Sequence, residues 1–327
     1  MDRTIWHHIR HFKSNIGETT PFSFNGRDIC LFNVSAINGA QPAGRPDHAV
    51  IVEKETNREL AHILDGHYFI YAYVANGKCF CYGSKVGYNG TWAADTIDMT
   101  VSNDLIHWSE PTPIFHYPHG HIFNTAVAFD GKRYVMLFET NDKRFIPFTF
   151  RFLESTDLVH WTLLEKPIYG DKKYVGGPSL YYFPEDGYFY VTYVNQFKNE
   201  ETRAWNYDTC IARSKNLIDW EEGSRPILFP DYNHRPFPRK HPNVYEINAS
   251  DAEFIEKDGK VTVFYCGGNQ QGIADNACAE YDGPLLQLFH LFFKGEDRLL
   301  GVCTVLPVRA VPQQAQVDQL RLCFLHP

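Results

Sequence analysis

A seven-residue motif recurs three times in this 327-residue chain and limits its architecture more than any other feature. It reads Ser102-Asn103-Asp104-Leu105-Ile106-His107-Trp108, then Ser155-Thr156-Asp157-Leu158-Val159-His160-Trp161, then Ser214-Lys215-Asn216-Leu217-Ile218-Asp219-Trp220. A second pattern interleaves with it: an Asp-Gly pair followed by aromatic or β-branched residues, at Asp65-Gly66, Asp130-Gly131, Asp186-Gly187 and Asp258-Gly259. Asp-Gly between apolar runs marks a hairpin, because a type I′ turn needs positive φ at both central residues. Each unit then reads as strand, turn, strand and a third strand ending near the Ser-x-Asp-Leu-x-x-Trp segment. Repeats of ~40–60 residues with three or four strands are the blades of a β-propeller.

Four blades are directly visible, with anchors near residues 47, 124, 177 and 250. A fifth can be assembled from both ends of the chain, by pairing strand-like Phe22–Asn33 with Ala277–Phe293, which closes the ring and removes its open edges. Ile5, Ile9 and Phe12 recur at helical spacing, so a short N-terminal helix outside the ring is expected. The expected architecture is all-β: one five-bladed β-propeller over residues 21–293, an N-terminal segment 1–20, and an irregular C-terminal extension 294–327 that is poor in aromatics.

Composition narrows the functional classes. The aromatics, 25 Phe, 19 Tyr and 6 Trp, are spread along most of the chain, which favours strands and excludes global disorder. A net charge of −8 without a Lys/Arg run argues against nucleic acid and anionic membranes as partners. The N-terminal stretch has no unbroken apolar core of signal-peptide type, and the expected location is cytoplasmic. Eight scattered cysteines without a CxxC pair read as thiols, mostly small core residues.

In a propeller the innermost strands line a central channel, and the residues that begin them converge at one mouth. By this reckoning the mouth collects Arg45-Pro46-Asp47-His48, His121 to Thr125 with Asn124, Gly176-Gly177-Pro178-Ser179, and Asn248 to Glu253 with Asp251 and Glu253. Asp251 and Glu253, two apart in a strand, would project to one face, and neighbouring carboxylates raise one another's pKa. Glu139 ends the apolar run Tyr134-Val135-Met136-Leu137-Phe138, and is either delivered to the site or simply marks the strand end. His116, His119 and His121 fit no standard zinc spacing, so no metal or cofactor is expected. Trp205, outside the repeated Trp positions, offers a flat apolar face for a sugar, and Gln270 an amide.

These features resemble the five-bladed propeller glycosidases of glycoside hydrolase families 43, 32, 117 and 130. The Gly268-Asn269-Gln270-Gln271-Gly272 run, with Ala279 to Gly283 and Phe292-Phe293, is similar to uncharacterised bacterial family 43-like members. The resemblance implies a base or nucleophile at the start of blade one, assigned here to Asp47. It also implies an acid Glu where this chain has Gly176-Gly177-Pro178, and a pKa-tuning Asp where it has Asn124. The family 43 triad therefore does not transfer whole. Asp251, Glu253 and Glu139 compete for the acid and tuning roles, while Arg45, His48, His121, Asn124, Trp205 and Gln270 are the candidates for sugar binding. The expected activity is exo-acting hydrolysis of a small oligosaccharide or glycan fragment. Two alternatives stand beside it: a family 130-type phosphorylase, and a carbohydrate-binding propeller without catalysis.

Overall fold

In the computed structural model, the residues described are 1–14, 17–35, 46–86, 93–146, 148–200, 203–270 and 273–294. The chain opens with strand β1 (His7–Ser14) and then runs through four complete sheets. Blade 1 is β2 (Thr19–Phe24), β3 (Arg27–Val34), β4 (His48–Glu53) and β5 (Arg58–Ile63). Blade 2 is β6 (His67–Ala75), β7 (Lys78–Lys85), β8 (Thr96–Ser102) and β9 (Thr112–His116). Blade 3 is β10 (Ile122–Phe129), β11 (Tyr134–Thr140), β12 (Thr149–Ser155) and β13 (Thr162–Tyr169). Blade 4 is β14 (Gly176–Phe183), β15 (Tyr188–Lys198), β16 (Trp205–Ser214) and β17 (Glu221–Glu222). Blade 5 takes β18 (Ser250–Lys257), β19 (Lys260–Gly268) and β20 (Ala274–Asp282), and borrows β1 as its outer strand. The first strands β2, β6, β10, β14 and β18 touch in succession around the ring. The fold is an all-β five-bladed propeller, as expected.

The inner strands of each blade are buried on both faces, and period-two alternation divides their side chains between two neighbouring blades, whereas the outer strands β5, β9, β13 and β17 are largely exposed. In β11, Val135 and Leu137 pack towards blade 4, while Met136 and Phe138 pack towards blade 2. Five of the buried apolar clusters fill the five gaps between blades in this way. The repeated heptad is structural. Ser102, Ser155 and Ser214 cap the turn after the third strand of blades 2, 3 and 4, and Asp104 and Asp157 accept backbone N–H groups two and three residues on. The turn throws Leu105, Leu158 and Leu217 into positive φ (68°, 68° and 64°) and buries them. All six cysteines among the described residues are free thiols, five of them buried.

Three expectations need correction. Residues 7–14 form a strand, not a helix: the free edge of β20 demands a partner, and bulges between His7 and Arg10 and between His11 and Lys13 remove the alternation that would have announced one. Closure therefore does join the two ends of the chain, but through β1 and β20. Phe22–Asn33 instead forms the first hairpin of blade 1, and after β20 the chain turns into helix α1 (Leu285–His290), whose Leu285, Leu288 and Phe289 pack under blades 4 and 5. The second correction concerns turns. Blade 1 and blade 2 turn their first hairpins at Asn25-Gly26 and Asn76-Gly77, both residues of each pair at positive φ, whereas Asp65-Gly66 links blade 1 to blade 2. The third follows from it: Asp47 precedes β4, the third strand of its blade, and does not begin an innermost strand. The C-terminal extension lies, from residue 295 on, outside the described residues.

Candidate functional site

The mouth of the channel is shaped by bulges near the starts of the first strands. Pairing slips between Tyr68 and Tyr71, Ile122 and Thr125, Gly176 and Ser179, and Ser250 and Glu253. Phe69, Gly177 and Asp251 take positive φ there (55°, 47° and 53°), which re-aims the adjoining side chains. The resulting pocket is lined by all five blades: Glu18 from blade 1, Tyr71 from blade 2, Asn124 from blade 3, Gly177 from blade 4, and Asp251 with Glu253 from blade 5.

Glu139, on the second strand of blade 3, stands behind this lining. It is 5% exposed, and its Oε2 accepts the Gly177 N–H at 2.9 Å and the Asn124 amide at 3.2 Å. Asn124 also faces Glu18, where its amide favours the charged form of that carboxyl group. Glu253 accepts the Tyr181 hydroxyl at 3.1 Å. Asp251 accepts the Ser250 hydroxyl, which Gln270 supports in turn at 3.1 Å. Glu18, Asp251 and Glu253 are half-buried and line the mouth.

Four carboxyl groups in one desolvated space cannot all be ionised. Burial pushes Glu139 and Glu253 up to about 8, with the Asp251 charge adding to the effect on both. Glu18 is raised well above the ordinary range, first by burial and then by the charges of Asp251, Glu139 and Glu253. Asp251 is raised by burial alone, against the Ser250 hydrogen bond. Burial and mutual repulsion thus leave the cluster with fewer charges than carboxyl groups. The arrangement can present one carboxylate and at least one carboxylic acid together near neutral pH.

No family model matches the chain, and no curated protein matches it. Solved structures do. A structure described as a glycoside hydrolase aligns at TM-score 0.59 and 15% identity over 84% of this chain and 90% of its own. The GH93 α-L-arabinofuranosidase of Fusarium graminearum, in complex with arabinobiose, aligns at 0.60 and 10% over 82% and 93%. A Bombyx mori GH32 β-fructofuranosidase aligns at 0.57 and 14% over 80% and 59%. This chain shares its propeller with glycoside hydrolases of known structure.

Of the residues singled out in the sequence, Asn124, Glu139, Asp251 and Glu253 come together here. Gln270 sits behind Asp251 through Ser250. Asp47 is buried beside Ser35, at 3.3 Å, and is not among the pocket residues. His48 is buried too: its Nδ1 lies 2.9 Å from the Pro46 carbonyl and its ring stacks on His62. His121 engages Asn141 through its backbone N–H and its ring. With His116 beside Asp95 and His119 edge-on to Tyr117, the three clustered histidines have separate partners. Trp205 is 47% exposed where β16 begins, on a hairpin that rises past the Gly176–Val194 pair at the mouth. Arg45 lies outside the described residues. Glu18 was not anticipated. The signal for it was the Asn25-Gly26 turn, which makes Thr19–Phe24 an innermost strand and places Glu18 at its head.

Proposed function

We propose that this protein is an exo-acting glycosidase in which Asp251 is the ionised carboxylate and Glu18 the proton donor. One observation carries the reading: carboxyl groups from blades 1, 3 and 5 meet at a single buried mouth, too close and too desolvated for all to be ionised. Glycosidic cleavage needs that pair of states, an acid to protonate the leaving oxygen and a carboxylate to activate water or attack the anomeric carbon. The resemblance would put the base at the start of blade one, where Glu18 stands. We assign the charge to Asp251 instead, because the Ser250 hydroxyl, backed by Gln270, donates to it and favours its ionised form. Glu139 acts as a positioning residue, gripping Gly177 and Asn124. Hydrolysis is preferred to phosphorolysis because the described pocket residues include no Arg, Lys or His to receive phosphate.

Two of the similar structures are furanosidases by name, so aryl α-L-arabinofuranosides and β-fructofuranosides are the first substrates to try. Asp251→Asn should lower kcat about 10²–10⁴-fold on every substrate. Glu18→Gln should do the same on poor leaving groups and spare dinitrophenyl glycosides, which need no proton. Equal loss on both leaving groups would reverse the two roles. Sugar binding without cleavage of any aryl glycoside would leave a carbohydrate-binding propeller.

A further inference from the structure

A second polar cluster lies outside the channel mouth, where β1 seals blade 5. It is built from His11 on β1, Asp275 at the start of β20, and His234 and Glu246 on the long connection between β17 and β18. His11 and His234 stack with ring centroids 3.6 Å apart and 13° between planes. Asp275 Oδ2 lies 3.2 Å from His11 Nδ1 and 2.7 Å from His234 Nε2. The Glu246 N–H donates to the His234 carbonyl at 3.2 Å, and its Oε1 accepts the Asp231 N–H at 2.7 Å.

An ordinary ion cluster accounts for Asp275, held between two imidazoles. It does not account for Glu246, which is completely buried with Oε2 lacking any hydrogen-bond partner. His11 Nδ1 is also left without a well-aligned hydrogen bond, as is the buried hydroxyl of Tyr265 on β19. Leaving a buried carboxylate oxygen unmatched is costly, so a group bound beside Glu246 Oε2 would be stabilising. His11, His234 and Glu246 each offer one ligand atom, all within 4.8 Å of one another.

We propose that these residues bind a transition-metal ion, zinc by preference, with Asp275 as the fourth ligand. Two imidazoles with carboxylates suit zinc rather than calcium or magnesium, which take oxygen ligands. Zinc–ligand distances of ~2.0–2.2 Å place tetrahedral ligand atoms roughly 3.4 Å apart. The ligand atoms of His11, His234 and Glu246, within 4.8 Å of one another, would draw together to reach it, and Asp275, at 3.2 and 2.7 Å from the two imidazoles, would draw back to join them. Four protein ligands leave no open position, which makes the site structural. It would latch the closing strand to the β17–β18 connection, coupling metal binding to ring closure.

The test uses the full chain with any tag removed, stripped by chelator and titrated with zinc sulfate. One equivalent should bind and raise Tm, and Co²⁺ in its place should give the intense visible bands of a four-coordinate site. Glu246→Gln keeps the oxygen that accepts the Asp231 N–H, and His11→Gln alters a partly exposed side chain, so both variants should fold. Each should weaken zinc binding about 100-fold or more and abolish the Tm shift. No stoichiometric zinc on the wild-type chain, or wild-type binding by both variants, would overturn the proposal.

Discussion

At the scale of single residues, Gly177 decides whether the carboxylates can meet. Its φ of 47° lies where side chains are disfavoured, and a Cβ would collide with Asp251 Oδ1 and come within 2.9 Å of Val194 Cγ2. The Gly-Gly-Pro segment looks like a lost acid in the sequence. In the structure it is the gap through which blade 5 reaches the mouth, and its N–H is a donor to Glu139. Gly177→Ala should therefore displace Asp251 and tilt Glu139. We expect kcat/KM on an aryl furanoside to fall about 10²-fold, the scale associated with ~1 Å of misplacement. A stability loss of about 1–3 kcal/mol should accompany it from backbone strain. Wild-type kcat/KM in the Gly177→Ala variant would show that Asp251 is not held where the chemistry needs it.

At the scale of elements, the closing strand depends on its anchor. Trp6, just before β1, is 1% exposed, packs beside Phe254, and donates its indole N–H to the Ile227 carbonyl at 3.0 Å. Trp6→Ala should cost about 3–5 kcal/mol in a denaturant titration, the range for large aromatic truncations in cores. A loss below about 1 kcal/mol would mean that β1 is held by its ladder alone. The same elements show what the sequence could convey. Blades 3, 4 and 5 were legible because Asp-Gly turns, heptads and apolar runs are local signals that require no knowledge of the partner strand. Blade 1 was set out of register by one substitution of turn chemistry: Asn-Gly and Asp-Gly serve the same type I′ turn, and only the Asp-Gly pairs were counted. That displacement promoted Asp47 and hid Glu18. β1 was illegible for another reason, since its bulged register with β20 exists only after the chain ends meet. Asn124, Asp251 and Glu253 were found because their strands were placed correctly.

At the scale of the whole molecule, gathering four carboxyl groups at the centre sets how stability depends on pH. Glu139 and Glu253 move from an ordinary 4.5 to about 8 in the folded chain. Between those values the native state binds more protons than the unfolded state, so stability falls as pH rises through the window and levels off above it. Asp208, pushed by burial to about 6, acts in the same sense. Asp142, which burial would raise but hydrogen bonds from Arg144 and Tyr117 hold at about 2, acts oppositely, and only below 3.8. The wild-type Tm should thus decline from pH 5 to pH 8.5. Glu253→Gln, which mimics the protonated form, should match the wild type near pH 5, decline less steeply, and be the more stable protein at pH 9. Parallel melting curves for the two proteins across that range would mean that Glu253 is ionised throughout, and that burial does not hold its proton. The same proton is tied to activity, because deprotonating any of the site's acids adds charge beside Asp251 and Glu18. A falling alkaline limb in kcat/KM near pH 8 should therefore accompany the loss of stability, and should shift in Glu253→Gln.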